Sequence, residues 1–166
     1  RVQVFDEDNK FLLEFGWERW IKGTMETVVD VVIGKDGSVI VLDQSFRLLV
    51  FDSSGAFERI IQRFHHFICG IAVGGDGDLY VTCMDDRDSD GEYPHEEEGQ
   101  VRQYHQVYRI PSGCIRSGTS SDIKLVFQRA YTREEGSPYN WSGGLAVDAA
   151  GRVFISWGSS KLMMLE

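Results

Sequence analysis

The chain has 166 residues, 42% of them hydrophobic and 26% charged, and carries a formal net charge of −9. That length and balance suit one soluble globular domain with a real core. No apolar run approaches the ~20 residues of a membrane-spanning helix, and an acidic surface repels phosphate backbones, which disfavours a nucleic-acid partner.

Taken in order, residues 1–16 supply two strands on either side of a polar turn. Trp17 to Thr27 is a connector in which Trp17, Trp20, Ile21 and Met25 are expected to cover the edge of the neighbouring unit. Residues 28–62 read as four strands joined by three turns, with segments at Val31–Ile33, Val39–Leu42, Leu48–Phe51 and Phe57–Ile61. Asp36-Gly37 is a two-residue hairpin signal, because glycine tolerates the positive φ such turns demand. Ser53-Ser54-Gly55 is a looser turn of the same kind. The first three segments are apolar without alternation, which predicts burial on both faces. The fourth mixes Glu58 and Arg59 with apolar residues, as a strand partly in water does. A four-stranded meander covered on both faces is what a β-propeller blade needs.

Residues 67–130 form the next unit, with a hairpin over Ile68–Met84 and an acidic insertion at 85–106. Strands follow at Val107–Ile110 and Ile123–Phe127, with turns at Pro111-Ser112-Gly113 and over Ser117–Asp122. Tyr131 to Ser142 is a polar, aromatic linker. Residues 143–166 give three more strands, the last at Lys161–Leu165.

Pieces of the meander recur. Gly70 to Val81 (GIAVGGDGDLYV) and Gly144 to Ile155 (GLAVDAAGRVFI) repeat the first hairpin, and Arg1 to Phe15 repeats the second. The turn glycines Gly37 and Gly77 lie 40 residues apart, close to the period of roughly 40 to 50 residues expected of propeller blades. These residues resemble the NHL-repeat family, whose repeat runs as a Gly-Ile-Ala-Val-Asp strand, an Asp-Gly turn, a Tyr-Val-Ala-Asp strand and an Arg-Ile-Gln-Val-Phe strand. The resemblance implies an all-β fold of four-stranded antiparallel propeller blades, about three and a half of them by the repeat count. A chain that starts and stops inside a blade is expected to be part of a longer propeller or a half that closes with another chain. The motif residues build turns and strands, so the resemblance speaks to fold more than to function.

The insertion holds Asp86-x-Asp88-x-Asp90-Gly91 followed by Glu97, which fits the EF-hand calcium-loop expression. Ca²⁺ takes six to eight oxygen ligands, and alternate aspartates around a glycine turn converge on such an ion. Asp86, Asp88 and Asp90 would offer carboxylates, Glu92 its backbone carbonyl, and Glu97 a bidentate carboxylate. Strands rather than helices flank the loop, and a solvated acidic loop continued by Glu96 and Glu98 is the alternative. Asp-rich loops of this kind occur between propeller strands in the integrin α-subunit family, which the stretch resembles loosely.

An enzyme finds less support. Among lactonase propellers of the gluconolactonase and regucalcin type, a metal-binding asparagine or aspartate precedes the strand that Gly144-Leu145-Ala146-Val147 resembles. Gly143 takes that place here, and Cys69 takes it before Gly70. Lyase propellers converge several histidines on zinc, whereas this chain has His65, His66, His95 and His105, and the insertion holds two of them. Adjacent His65 and His66 would point to opposite faces of a strand. No catalytic residue and no cofactor other than calcium is therefore expected. Cys69, Cys83 and Cys114 form an odd set without Cys-x-x-Cys spacing. They read as free thiols in a reducing, intracellular compartment, although Cys69 and Cys83 sit on two strands of one hairpin and would lie opposite each other. No signal peptide is visible, while Arg1 is not a native start.

The expected function is a non-catalytic protein-interaction scaffold whose acidic insertion meets a basic partner surface. The alternative is a lactonase- or lyase-like metal-dependent enzyme completed by blades outside these residues.

Overall fold

A computed structural model describes residues 1–16, 25–63, 67–85, 103–118, 122–131, 142–157 and 161–165. Thirteen strands and one short helix make four antiparallel sheets among them. Strands β1 (Val2–Phe5) and β2 (Phe11–Phe15) pair with each other. The next sheet is the meander β3 (Val28–Ile33), β4 (Val39–Asp43), β5 (Arg47–Phe51) and β6 (Phe57–Arg63). Another meander follows in β7 (Phe67–Val73), β8 (Leu79–Asp85), β9 (Gln103–Ile110) and β10 (Lys124–Tyr131), with α1 (Ser112–Ser117) between the last two strands. Strands β11 (Ser142–Val147), β12 (Val153–Trp157) and β13 (Lys161–Leu165) form the fourth sheet.

The sheets stack face to face, and strand alternation distributes the core between them. On β4, Val39 and Val41 pack toward β1–β2 with Phe15, Leu49 and Phe51, while Ile40 and Leu42 pack toward the β7–β10 sheet with Ile71, Leu79 and Val81. The face of that sheet carrying Tyr80 and Val107 meets Val153 and Ile155 of the last sheet. A strand covered on both sides needs apolar residues at every position, which is why β4 and β5 read as unbroken apolar runs. The prediction fails for β3, where Val29, Val31 and Ile33 are exposed. Among the described residues two strands lie on that side of the β3–β6 sheet, and on β3 their cover reaches Val28 but not Val31 or Ile33.

One turn closes nearly every hairpin. Asp52 shows it. Its amide donates to the Ala56 carbonyl (2.9 Å), and the Gly55 amide donates back to the Asp52 carbonyl (3.0 Å). The same backbone pair closes Asp6–Lys10, Gly34–Ser38, Gly74–Asp78 and Asp148–Arg152. The fourth residue always takes a positive φ, 61° at Asn9 and 82–89° at Gly37, Gly55, Gly77 and Gly151. This is a three-residue loop, a type I turn followed by a left-handed residue. Asp36-Gly37 thus belongs to a three-residue loop with Lys35, not to a two-residue one.

Two further expectations change. Pro111-Ser112-Gly113 is not a turn but the start of α1, whose Cys114 and Ile115 plug the core between the two meanders. The helix stops at Gly118, φ 73°, whose amide caps the Cys114 carbonyl. The Arg59 guanidinium of β6 donates to the Arg116 carbonyl, tying this helix to the preceding sheet. Strand β9 also begins at Gln103, four residues before the predicted Val107, so His105 is a strand residue rather than part of the insertion.

Candidate functional site

The innermost strands β3, β7 and β11 lie side by side, one from each of three sheets. Each carries a β-bulge at the same place: the ladder slips between Val28 and Asp30, between Ile68 and Gly70, and between Ser142 and Gly144. Bulges re-aim a side chain and are common beside active sites. The residues in the bulges are Val29, Cys69 and Gly143, and these include the two positions where the lactonase resemblance looks for metal ligands. Cys69 alone has a metal-binding atom. It is half-buried, with Cys83 and Cys114 deeper, and all three are free thiols. Cys83 stands opposite Ile68, not opposite Cys69, because the bulge takes Cys69 out of register.

The residue after each bulge is Asp30, Gly70 or Gly144. Asp30 is the one charged residue on the three inner strands. Its Oδ1 accepts the Val31 amide (2.8 Å), and its Oδ2 reaches across to the next sheet to accept the Ile71 amide (3.0 Å). Gly70 lies beside this contact, where a side-chain Cβ would meet its neighbours at ordinary van der Waals distance. A Cβ there would sit 3.6 Å from Asp30 Oδ2 and 3.7 Å from the Leu145 amide nitrogen. Three sheets meet at this point, and both oxygens of its carboxylate are held by backbone amides. The arrangement is a clasp between sheets rather than an open ligand. Among the described residues, no three or more His, Cys, Asp or Glu side chains are grouped to hold a metal ion.

The strand registers divide the turns of the last three sheets between two ends. At one end lie the short loops at Gly34–Ser38, Asp52–Ala56, Gly74–Asp78 and Asp148–Arg152, together with α1. Their carboxylates are absorbed into turn geometry. Hydroxyls of Ser38 and Ser54 hold Asp36 and Asp52 below the ordinary carboxylate range, and the Arg152 guanidinium does the same for Asp148. Arg109 bridges Asp78 (2.6 Å) and Asp76 (3.0 Å).

The opposite end carries the other connections. In the β3–β6 sheet that connection is the tight turn from Asp43 to Arg47. Asp43 is fully buried, and its carboxylate accepts the Ser45 and Arg47 amides (3.1 Å each) and the Arg47 guanidinium. In the next sheet the corresponding link, β8 to β9, spans residues 86–102. Asp85 pairs with Tyr104, so the segment leaves and returns at adjacent strand ends. It holds seven carboxylates and two arginines, −5 of the −9 total. Asp86, Asp88, Asp90, Glu92 and Glu97 all fall outside the described residues, as do His65, His66, His95, Trp17, Trp20 and Ile21.

The foot of this segment is a buried polar cluster missed in the sequence. Gln106 is enclosed, donating to Gln128 (3.0 Å) and accepting from the Tyr108 hydroxyl (2.9 Å). His105 is buried beside it in sequence, and burial pushes its pKa down to about 4, so the ring is neutral at physiological pH. The signal available was the Tyr, Val and Tyr at 104, 107 and 108, residues that favour strands.

No protein-family profile and no curated protein matches the sequence. Solved structures do. A gluconolactonase from Xanthomonas campestris superposes with a TM-score of 0.53 at 15% identity, over 99% of this chain and 51% of its own. The fold is that of β-propeller blades. A streptogramin B lyase (TM-score 0.46, 13% identity, 98% and 58% covered) and the virginiamycin B lyase of Staphylococcus aureus (0.44, 12%, 99% and 62%) are also similar. The chain thus spans about half to three-fifths of the length of these proteins. No helix among the described residues is long and apolar enough to cross a membrane.

Proposed function

We propose that this chain is a non-catalytic protein-interaction scaffold of the NHL type, with the acidic β8–β9 connection as its contact to a basic partner surface. One observation carries the reading. The same connection is closed in three residues in the preceding blade and takes 17 here, with a net −5. The fold does not need that length, and loops on a rigid scaffold are where binding tends to reside. Nucleic acid fits the charge poorly. Within the loop, Asp86, Asp88, Asp90, Glu92 and Glu97 are assigned to calcium.

Deleting Ser89 to Gly99 is expected to leave the circular dichroism spectrum and melting temperature in place and to abolish capture of basic partners in pull-downs. Unchanged capture would refute the assignment. Calcium is read separately by calorimetric titration. Occupancy at a hundredfold excess over Kd adds ~2.7 kcal/mol to stability, and Asp88→Ala with Asp90→Ala should remove that gain without lowering the metal-free melting point. No heat at millimolar Ca²⁺ would leave a solvated acidic loop. The alternative, a metal-dependent lactonase- or lyase-like enzyme completed by further blades, has only Cys69 among the three bulge residues to offer as a ligand. Lactone turnover by the protein with divalent metals, lost in Asp30→Asn or Cys69→Ala, would reverse the ranking.

A further inference from the structure

The β3–β6 and β7–β10 sheets repeat one another with an offset of 40 residues on their second strands, from Val39 to Leu79. The repeat pairs unlike residues at one place. Asp43, at the end of β4, corresponds to Cys83 on β8. Arg47 lies four residues before Phe51, the ladder partner of Val39, and Gln106 lies four residues before Ile110, the ladder partner of Leu79. In the β3–β6 sheet these two positions carry the buried ion pair that closes a three-residue turn. In the β7–β10 sheet they carry a thiol and an amide, which make no ion pair with each other, and 17 residues replace the turn. A link of that length restrains the strand ends less firmly than a tight turn does.

Gln106 is 1% exposed and stands opposite Gln128 of β10. Its Nε2 donates to Gln128 Oε1 (3.0 Å), and its Oε1 accepts the Tyr108 hydroxyl (2.9 Å). One uncharged side chain thus supplies a donor and an acceptor without the desolvation cost of a buried ion pair. Tyr104 and Tyr108 flank it on the same face of β9. A two-residue slip at this end of the strand would exchange one tyrosine for the other, so their packing alone separates the two registers poorly. The amide separates them, because the slip puts a tyrosine opposite Gln128 and leaves a buried amide without its partner. The other end of β9 is fixed separately, by Arg109 on Asp78 (2.6 Å) and by the first amide of α1, which donates to Asp78 (2.8 Å). We infer that Gln106 is a positioning residue for the acidic connection: bonded to Gln128 and Tyr108, it takes the place of the Asp43–Arg47 clamp and holds the returning end of β9 in one register. The inference rests on the reading of that connection as a contact surface, whose presentation the anchored strand end sets.

The test uses the full chain with Gln106→Met, which keeps the length of the side chain and removes both bonds. Hydrogen exchange at the amides of residues 103–106 is expected to speed up roughly tenfold or more, while the amides of residues 39–42 stay as slow as in the parent chain. Capture on beads carrying oligolysine should fall several-fold, although no charge has changed. Gln106→Met with Gln128→Met leaves neither amide stranded, so its melting temperature should return toward that of the parent while exchange at 103–106 stays fast; a merely structural role would restore both. Parental exchange at 103–106 in both variants overturns the inference. So does fast exchange with undiminished capture, in a chain whose capture is abolished by deleting Ser89 to Gly99. Capture that survives that deletion refutes the contact reading instead, and the exchange result still decides whether Gln106 is the anchor.

Discussion

Asp43 and Asp148 place one motif, aspartate with arginine four residues on, in two different environments. Both carboxylates accept two turn amides through Oδ1 and a guanidinium through Oδ2. Asp43 is fully buried and also lies 3.3 Å from the Glu26 amide, whereas Asp148 and Arg152 are 27% and 52% exposed. Asp43→Ala strands three amides and a guanidinium where water enters poorly. Removing one partner of a buried pair costs about 3–5 kcal/mol. Because the Arg47 side chain keeps 18% of its surface in water, it can partly rehydrate, and the lower end, about 3 kcal/mol, is expected. With a urea slope of roughly 2 kcal/mol per molar, the midpoint falls by roughly 1.5 M. Asp148→Ala should shift the midpoint by less than a third of that, since water replaces the lost acceptor. Adding Arg47→Met to Asp43→Ala should recover part of the loss by removing the uncompensated charge. Equal midpoint shifts at the two sites would refute the reasoning, because the cost would then follow bond count and not exclusion from water.

Other outcomes follow from single residues. The folded pKa of His105, about 4, lies below the unfolded value of 6.5, so the unfolded chain takes up the proton first as the solution is acidified. The stability this neutral ring contributes is full above about pH 6.5 and lost as pH falls toward 4, by about 2 kcal/mol between pH 7 and 5; urea midpoints of His105→Leu should lack that loss, and an equal loss in the variant would refute it. Gly55→Ala puts a Cβ 2.7 Å from the Phe15 ring at φ 83°, whereas Gly151→Ala at φ 82° meets nothing within 4 Å. The second should cost about 1 kcal/mol for backbone strain alone and the first clearly more; equal melting shifts would mean that Phe15 does not sit over the turn.

The blades were legible because each strand reports its own covering. Unbroken apolar runs in β4 and β5 and the repeated Gly-x-Ala-Val hairpins fix strands, turns and repeat together. What stayed hidden depends on partners distant in sequence. Strand β3 has the same apolar run as β4, but its exposure is decided by how many strands the neighbouring sheet contributes. Gln103 to Gln106 looked like loop because three of four residues are polar; the partner that lets Gln106 lie buried, Gln128, is 22 residues away. The helix at Ser112 rests on Cys114 and Ile115 finding a core formed by two other sheets. The bulges at Val29, Cys69 and Gly143 leave no local mark, since a bulge is a property of the pairing and not of one strand.

Phe46 holds a turn position that glycine or asparagine fills in the other turns. It fills the fourth position of the Asp43 turn, where its amide donates to the Asp43 carbonyl (2.9 Å) as Gly55 and Gly151 do in theirs. Its φ is 57°, a left-handed value that costs a residue with a side chain roughly 1–2 kcal/mol. The ring packs, partly buried, against the cluster holding Leu42, Leu48 and Ile61, and burying a phenylalanine contributes about 1.5–3 kcal/mol. That figure is for a fully buried ring, so the partly buried Phe46 gains a share of it that offsets much of the strain, and an aromatic stands where glycine is the easy choice. Truncation separates the two effects. Phe46→Ala loses the ring and keeps the strain, while Phe46→Gly loses the ring and relieves it. Alanine should therefore be the less stable of the two by about 1 kcal/mol, the reverse of their usual order, in which the flexible unfolded state of glycine is penalised. Urea denaturation of the two variants decides it: alanine equal to or above glycine would mean that residue 46 does not hold a positive φ in solution.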